Sequence, residues 1–134
     1  MEDRYLFRAK RTDNEEWIEG LPSCDINGNL TEFEVYRGFA NCEIADVDSE
    51  TVCQWTGLTD KNNRKIFEGD ICKIHSDSID EEDGCFSVEW DEGDARFALY
   101  SVGLTVDFGN YHGHECEVIG NIFDNPDLLP EEDT

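Results

Sequence analysis

The chain has 134 residues, with 33 acidic against 10 basic side chains and a formal net charge of −23. That length suits one domain that buries about two-thirds of its unfolded surface without disulfides or metals, and eight Phe, four Tyr and three Trp exclude a disordered polyacid. The charge repels nucleic-acid phosphates and anionic membranes at long range. No apolar run approaches the roughly twenty residues of a membrane span or forms a signal-peptide core, so the expected compartment is the cytoplasm.

In chain order, β-forming residues predict a strand over Tyr5 to Lys10, a turn over Thr12 to Glu15 and a second strand around Trp17 to Glu19. Turn residues Asp25 to Asn29 follow. From Leu30 to Tyr36, Leu30, Glu32 and Glu34 alternate against Thr31, Phe33 and Val35, which fits a half-exposed strand, with a short helix as the competing reading. A turn over Asp48 to Glu50 leads into a strand at Thr51 to Trp55. The second half carries predicted strands at Lys65 to Phe67, Asp70 to His75, Gly84 to Trp90, Ala95 to Ser101 and Glu115 to Phe123. Reversals fall at Asp60 to Arg64, in an acidic insert at Asp77 to Asp83, and at Asp91 to Asp94. Short strands at this frequency predict a mainly β, antiparallel fold with a small SH3-like barrel in the second half. One short helical segment is expected at the end, with Asn125 as N-cap and Pro126 at the first helical position. The expected organisation is a single domain with an N-terminal hairpin region to about residue 55, a barrel-like region over about 56 to 124, and an acidic tail over 125 to 134.

The densest stretch, Glu50 to Ile74, reads ETVCQWTGLTDKNNRKIFEGDICKI. Its Gln54, Trp55, Thr56, Gly57, Leu58, Asp60, Asn62, Ile66, Phe67, Glu68, Gly69, Asp70 and Ile71 resemble the signature of the YopX family of phage and prophage proteins. The opening, Tyr5 to Lys10 with Trp17 to Gly20, and the close, Glu117 to Leu129, are similar to the same family, so three blocks cover nearly the whole chain. Cys53 and Asn63 stand where many relatives carry glycine, and the acidic insert is a further departure; Asn63 still tolerates a left-handed turn. The resemblance implies a small, mostly β protein of mobile genetic elements and transfers no catalytic residue.

Six cysteines in a reducing compartment are expected as thiols, with Cys53 and Cys72 serving as small buried hydrophobes. Three constellations carry candidate chemistry. Ser23 to Glu34 approximates a calcium loop through Asp25, Asn27 and Glu34, but Ser23 stands where such a loop begins with Asp, so an Asn-Gly hairpin turn is favoured. His112, His114 and Cys116 share one face if extended and are zinc-type ligands; a fourth, such as Cys72 or His75, would have to come from elsewhere, and a polar loop is the simpler reading. Glu68 and Asp70 flank Gly69 as a candidate acid and base pair, although a tight turn explains them as well. No catalytic residue and no cofactor is assigned.

Charge segregation points to function. Asp77 to Asp94 holds acids and no base, as does Asp124 to Thr134. The reading favoured by the residues is a noncatalytic interaction protein that meets a basic protein partner through Asp77, Asp80, Glu81, Glu82 and Asp83, or self-associates through exposed aromatics such as Trp55 and Trp90. A nucleic-acid-binding barrel that uses Lys61, Arg64, Lys65 and Lys73 is the alternative. A metal-dependent enzyme stands third.

Overall fold

A computed structural model of the chain describes residues 6–24, 26–36, 42–74, 84–101, 104–107 and 116–129. The fold is mainly β and antiparallel, and its chain divides into two compact units, 1–55 and 56–134. Strands of the first unit are β1 (Phe7–Lys10), β2 (Trp17–Cys24), β3 (Leu30–Tyr36) and β4 (Cys42–Asp46). They lie in the order β4-β3-β2-β1, and β1 also pairs with the start of β5 (Cys53–Thr59) through Phe7 opposite Gln54 and Arg8 opposite Cys53.

The register explains which side chains are buried. Ala9 pairs with Ile18, Pro22 with Phe33 and Phe33 with Ala45, so one sheet face collects apolar residues. Its core is Ala9, Phe33, Val35 and Val47, with Phe7, Ile18 and Val52 against it. Glu32 and Glu34 take the alternate positions on β3. The alternation thus decides for strand over helix across 30–36. Gly20 in β2 is fixed by close approach rather than by flexibility: a Cβ there would strike the main-chain carbonyl of Glu34.

Two features depart from the expected elements here. The second strand continues through Pro22 to Cys24 and ends in a register shift between Ser23 and Cys24; Pro22 sits next to that irregularity, where a missing amide is tolerated. The strand β4 was not anticipated, because in Cys-Glu-Ile-Ala-Asp only Ile44 has a clear strand preference. A 3-10 turn over Ser49–Thr51 follows it, with the Asp48 side chain accepting the amide of Glu50.

In the second unit, β6 (Lys65–Phe67), β7 (Asp70–Ile74), β8 (Gly84–Asp91), β9 (Arg96–Ser101), β10 (Leu104–Asp107) and β11 (Cys116–Asn121) follow the end of β5. Five of them form a sheet in the order β10-β9-β8-β7-β11, so the last strand returns to pair with β7. This small β fold is a sheet with two edges, β10 and β11, among the described residues, rather than a closed ring. Its core is Ile66, Cys72, Ile74, Val88, Leu99, Cys116 and Val118, with Leu58, Phe86 and Phe97 packed against it.

The expected terminal helical turn is a 3-10 turn over Pro126–Leu128. Asn125 stands at its N-cap position but makes no cap bond. Its side-chain oxygen instead accepts the amide of Asn121 at 3.2 Å, and the Asn121 side chain accepts the amides of Phe123 and Asp124. The asparagine pair is spent on closing β11.

Cysteine placement follows the expected thiol chemistry. All six are free; Cys53, Cys72 and Cys116 are buried, whereas Cys24 and Cys42 are exposed. Cys72 and Cys116 lie on adjacent strands and hydrogen-bond to each other, and that bond, with burial next and the nearby Asp70 and Asp60 charges after it, pushes the Cys72 thiol up. The thiolate is the reactive species. A maleimide pulse on the native protein is therefore expected to label Cys24 and Cys42 first and to reach Cys53, Cys72 and Cys116 only with denaturant, as read by peptide mass mapping; prompt labelling of Cys72 would contradict this packing.

Candidate interaction surface

Polar residues of the central stretch work first as scaffold. Asp60 directly follows β5 and is only 4% exposed. Its Oδ1 accepts the amides of Asn62 and Arg64, each at 2.9 Å, and its Oδ2 accepts the amide of Val118 at 2.9 Å. Burial alone pushes this carboxyl up; the three amides and the Arg64 charge outweigh it and hold Asp60 below the ordinary aspartate value. The amide of Lys61 adds a bond to the Cys116 carbonyl at 2.9 Å. The hairpin tip is thereby clasped to β11. Asn63 has a φ of 64°, the left-handed conformation its side chain tolerates.

The Glu68, Gly69 and Asp70 segment is a turn with the same logic. Gly69 has a φ of 85°, its amide donates to the Val88 carbonyl and its carbonyl accepts the amide of Ile122, both at 2.8 Å. Asp70 is 1% exposed and its Oδ2 accepts the amide of Phe67 at 2.8 Å. Asp70 is thus sealed from any substrate, which leaves no exposed acid and base pair at this position.

The other candidates distribute as follows. Asn27 lies in the turn between β2 and β3, and Glu34 lies four strand residues beyond Leu30, about 13 Å along the chain. Asp25, His75, His112 and His114 lie outside the described residues, as do Asp77, Asp80, Glu81, Glu82 and Asp83. Cys116 is buried in β11 beside Cys72. Among the described residues, no group of three or more His, Cys, Asp or Glu side chains is placed to hold a metal ion. Trp55 is half-buried in β5. Trp90 is 45% exposed and meets Phe97 edge-on, with ring centroids 5.0 Å apart.

Cationic side chains are turned onto their own chain. In the first unit Arg8 lies over the Trp17 ring at 4.6 Å and Lys10 at 5.5 Å. Arg11 makes a two-pronged contact with Asp13 at 3.0 and 2.9 Å and reaches Glu43 at 3.5 Å. The hydrogen bond to Asp13 holds the Arg11 guanidinium more firmly charged, and the same bond lowers Asp13. In the second unit Lys61 pairs with Glu117 at 3.6 Å, Arg64 donates to the Val118 carbonyl at 3.3 Å, and Arg96 reaches Asp91 at 3.9 Å and Asp94 at 3.6 Å. Lys61 and Arg64 of the hairpin thus serve β11.

The polar face of the second unit contains an open hollow of about 230 Å³, lined by Glu89, Trp90, Asp91, Ala98, Tyr100 and Thr105. Glu89 stands opposite Ala98, Asp91 opposite Arg96, and Tyr100 opposite both Ser87 and Thr105. Small Ala98 thus sits between larger neighbours, and two carboxylates of β8 project on its side. Alternation turns the Trp90 ring to the other side, against Phe97. Sequence reading reached Trp90 and Tyr100 as aromatics of the core or an interface and Glu89 within the acidic run 77–94, but it neither reached Thr105 nor brought these residues together. Their alternation was visible, whereas the cross-strand register that gathers them was not.

Comparison with curated proteins gives no match. Among solved structures, the crystal structure of protein EF1440 from Enterococcus faecalis matches with a TM-score of 0.59 and 27% sequence identity, covering 92% of this chain and 96% of that one. A family model described as YopX protein matches residues 6–130, a span that holds the Asp60 clasp, the Gly69 turn and the asparagine closure of β11. The chain belongs to the YopX family.

Proposed function

We propose that this chain is a noncatalytic interaction protein that offers a negative surface to a basic protein partner. The observation that carries the reading is the disposition of charge: Arg8, Lys10, Arg11, Lys61, Arg64 and Arg96 all engage groups of their own chain, within a molecule of net charge −23. The acids outnumber the bases 33 to 10, so the surface charge is carboxylate in excess. Such a field speeds and orients encounter with a basic surface and disfavours phosphate backbones. The commitment of Lys61 and Arg64 to β11 weighs against the nucleic-acid reading. Burial of Asp70, and the use of both Asp60 oxygens by backbone amides, weigh against catalysis by the conspicuous acids of the family signature.

The test is affinity capture from a nuclease-treated cell lysate at low and high salt. It compares the native chain with a variant in which Asp77 and Asp80 become Asn, Glu81 and Glu82 become Gln, and Asp83 becomes Asn. A basic protein held at low salt, released at high salt and held about tenfold more weakly by the variant is the expected result. Capture unaffected by neutralisation, or recovery of this chain alone, overturns the proposal.

A further inference from the structure

The hollow over Ala98 has a size and lining that select an occupant. At about 230 Å³ it is smaller than the roughly 300–1,000 Å³ of small-molecule sites, so it suits a single side chain rather than a cofactor. Its walls are two carboxylates, an aromatic ring and a hydroxyl, from Glu89, Asp91, Tyr100 and Thr105. No base other than Arg96 stands on β8, β9 or β10. The same face already shows the contact it prefers, because Arg96 spreads its guanidinium between Asp91 and Asp94 at its edge. A planar guanidinium also stacks on an aromatic ring such as that of Tyr100 while donating sideways to carboxylates, which a compact ammonium does less well.

We infer that this hollow receives an arginine side chain from a basic segment of the partner protein, with Glu89 and Asp91 meeting its charge and the Tyr100 ring its flat face. This rests on the reading of the chain as a binder of basic proteins and adds where, and by which side chain, the partner is read. Glu89 carries the larger share of the charge. Asp91 also accepts the amide of Gly93 at 3.1 Å and faces Arg96, whereas Glu89, among the described residues, accepts a long 3.4 Å contact from the Ser87 hydroxyl.

The probe is a short acetylated and amidated Gly-Arg-Gly peptide, titrated into the isotopically labelled full chain at low salt. Matched peptides with citrulline and with lysine in place of arginine serve as controls. Saturable shifts of the Glu89, Ala98 and Tyr100 amide signals with the arginine peptide, their absence with citrulline, and weaker binding of lysine are expected. Glu89→Gln should weaken the arginine peptide about two- to fivefold. Thr105→Lys, at an exposed position where the added ammonium competes for the hollow, should abolish binding with an unchanged melting temperature. Equal response to citrulline, equal binding of lysine, or shifts confined to residues away from the hollow would overturn the inference. If the hollow variants capture a basic protein normally while the variant neutralised over 77–83 does not, this site fails and the broader function stands.

Discussion

Asp60→Ala is expected to cost roughly 3 kcal/mol of folding stability, more than the loss of any exposed ion pair in the molecule. The carboxylate accepts three backbone amides at 2.9 Å in a buried position. Alanine leaves those donors without their acceptor and removes the buried link between the hairpin tip and the Val118 amide of β11. Asp60→Asn is a sharper probe. One oxygen survives to serve Asn62 and Arg64, but the amide nitrogen that replaces the other faces the Val118 amide, donor against donor. An intermediate loss, seen in urea unfolding as a lower midpoint at constant slope, is expected. Equal midpoints for wild type and Asp60→Ala would refute the clasp.

The same carboxylate imposes a pH signature whose sign follows from linkage. Its folded-state pKa lies below the ordinary value of 3.8, so the unfolded chain takes up the proton first as pH falls. The stabilisation is fully present above that ordinary value and is lost as pH drops through the lower folded one. An opposite trend runs above this window. As pH falls toward the sequence pI near 4.1, the repulsion among 33 acids relaxes and the folded state gains. Comparison of wild type with Asp60→Asn separates the two: both should gain on mild acidification, and wild type alone should show the added loss from the Asp60 proton below about pH 4.

How far the sequence reading reached depends on whether the determinant was local. Turns written in Asn, Asp and Gly at 60–64 and 68–70, and the alternation of β3, were read correctly because a turn and a pleat are set by adjacent residues. The strand β4 and the strand β10 (Leu104–Asp107) were missed. β4 offers little β signal beyond Ile44 and β10 is only 4 residues long, and each is held by pairing with its neighbour: β4 on β3, and β10 on β9. The same distinction separates Asp60 as a turn residue, which was legible, from Asp60 as an anchor for Val118, fifty-eight residues away in sequence. For Asn125 one local rule lost to another: its side chain serves the Asn121 amide earlier in the same turn rather than the helix cap. The hollow depends on register in three strands, and no single segment of sequence encodes it.

Phe33→Ala is the counterpart test in the first unit and should cost about 3–5 kcal/mol. Phe33 is fully buried, pairs across the sheet with Pro22 on one side and Ala45 on the other, and heads the small cluster of Ala9, Val35 and Val47. Its buried cluster companions are all alanine or valine, too short to swing into the space, so most of the cavity term is expected, with only the half-buried Phe7 and Ile18 long enough to relax toward it. Adding a methyl at Gly20 would not refill it. A Cβ there would lie 3.5 Å from the Phe33 ring but would first collide with the Glu34 carbonyl, pushing β2 from β3. The double variant Phe33→Ala with Gly20→Ala should therefore be less stable than Phe33→Ala alone. In denaturant titrations followed by circular dichroism, a double variant as stable as the single one would mean that the close approach at Gly20 does not hold these strands together.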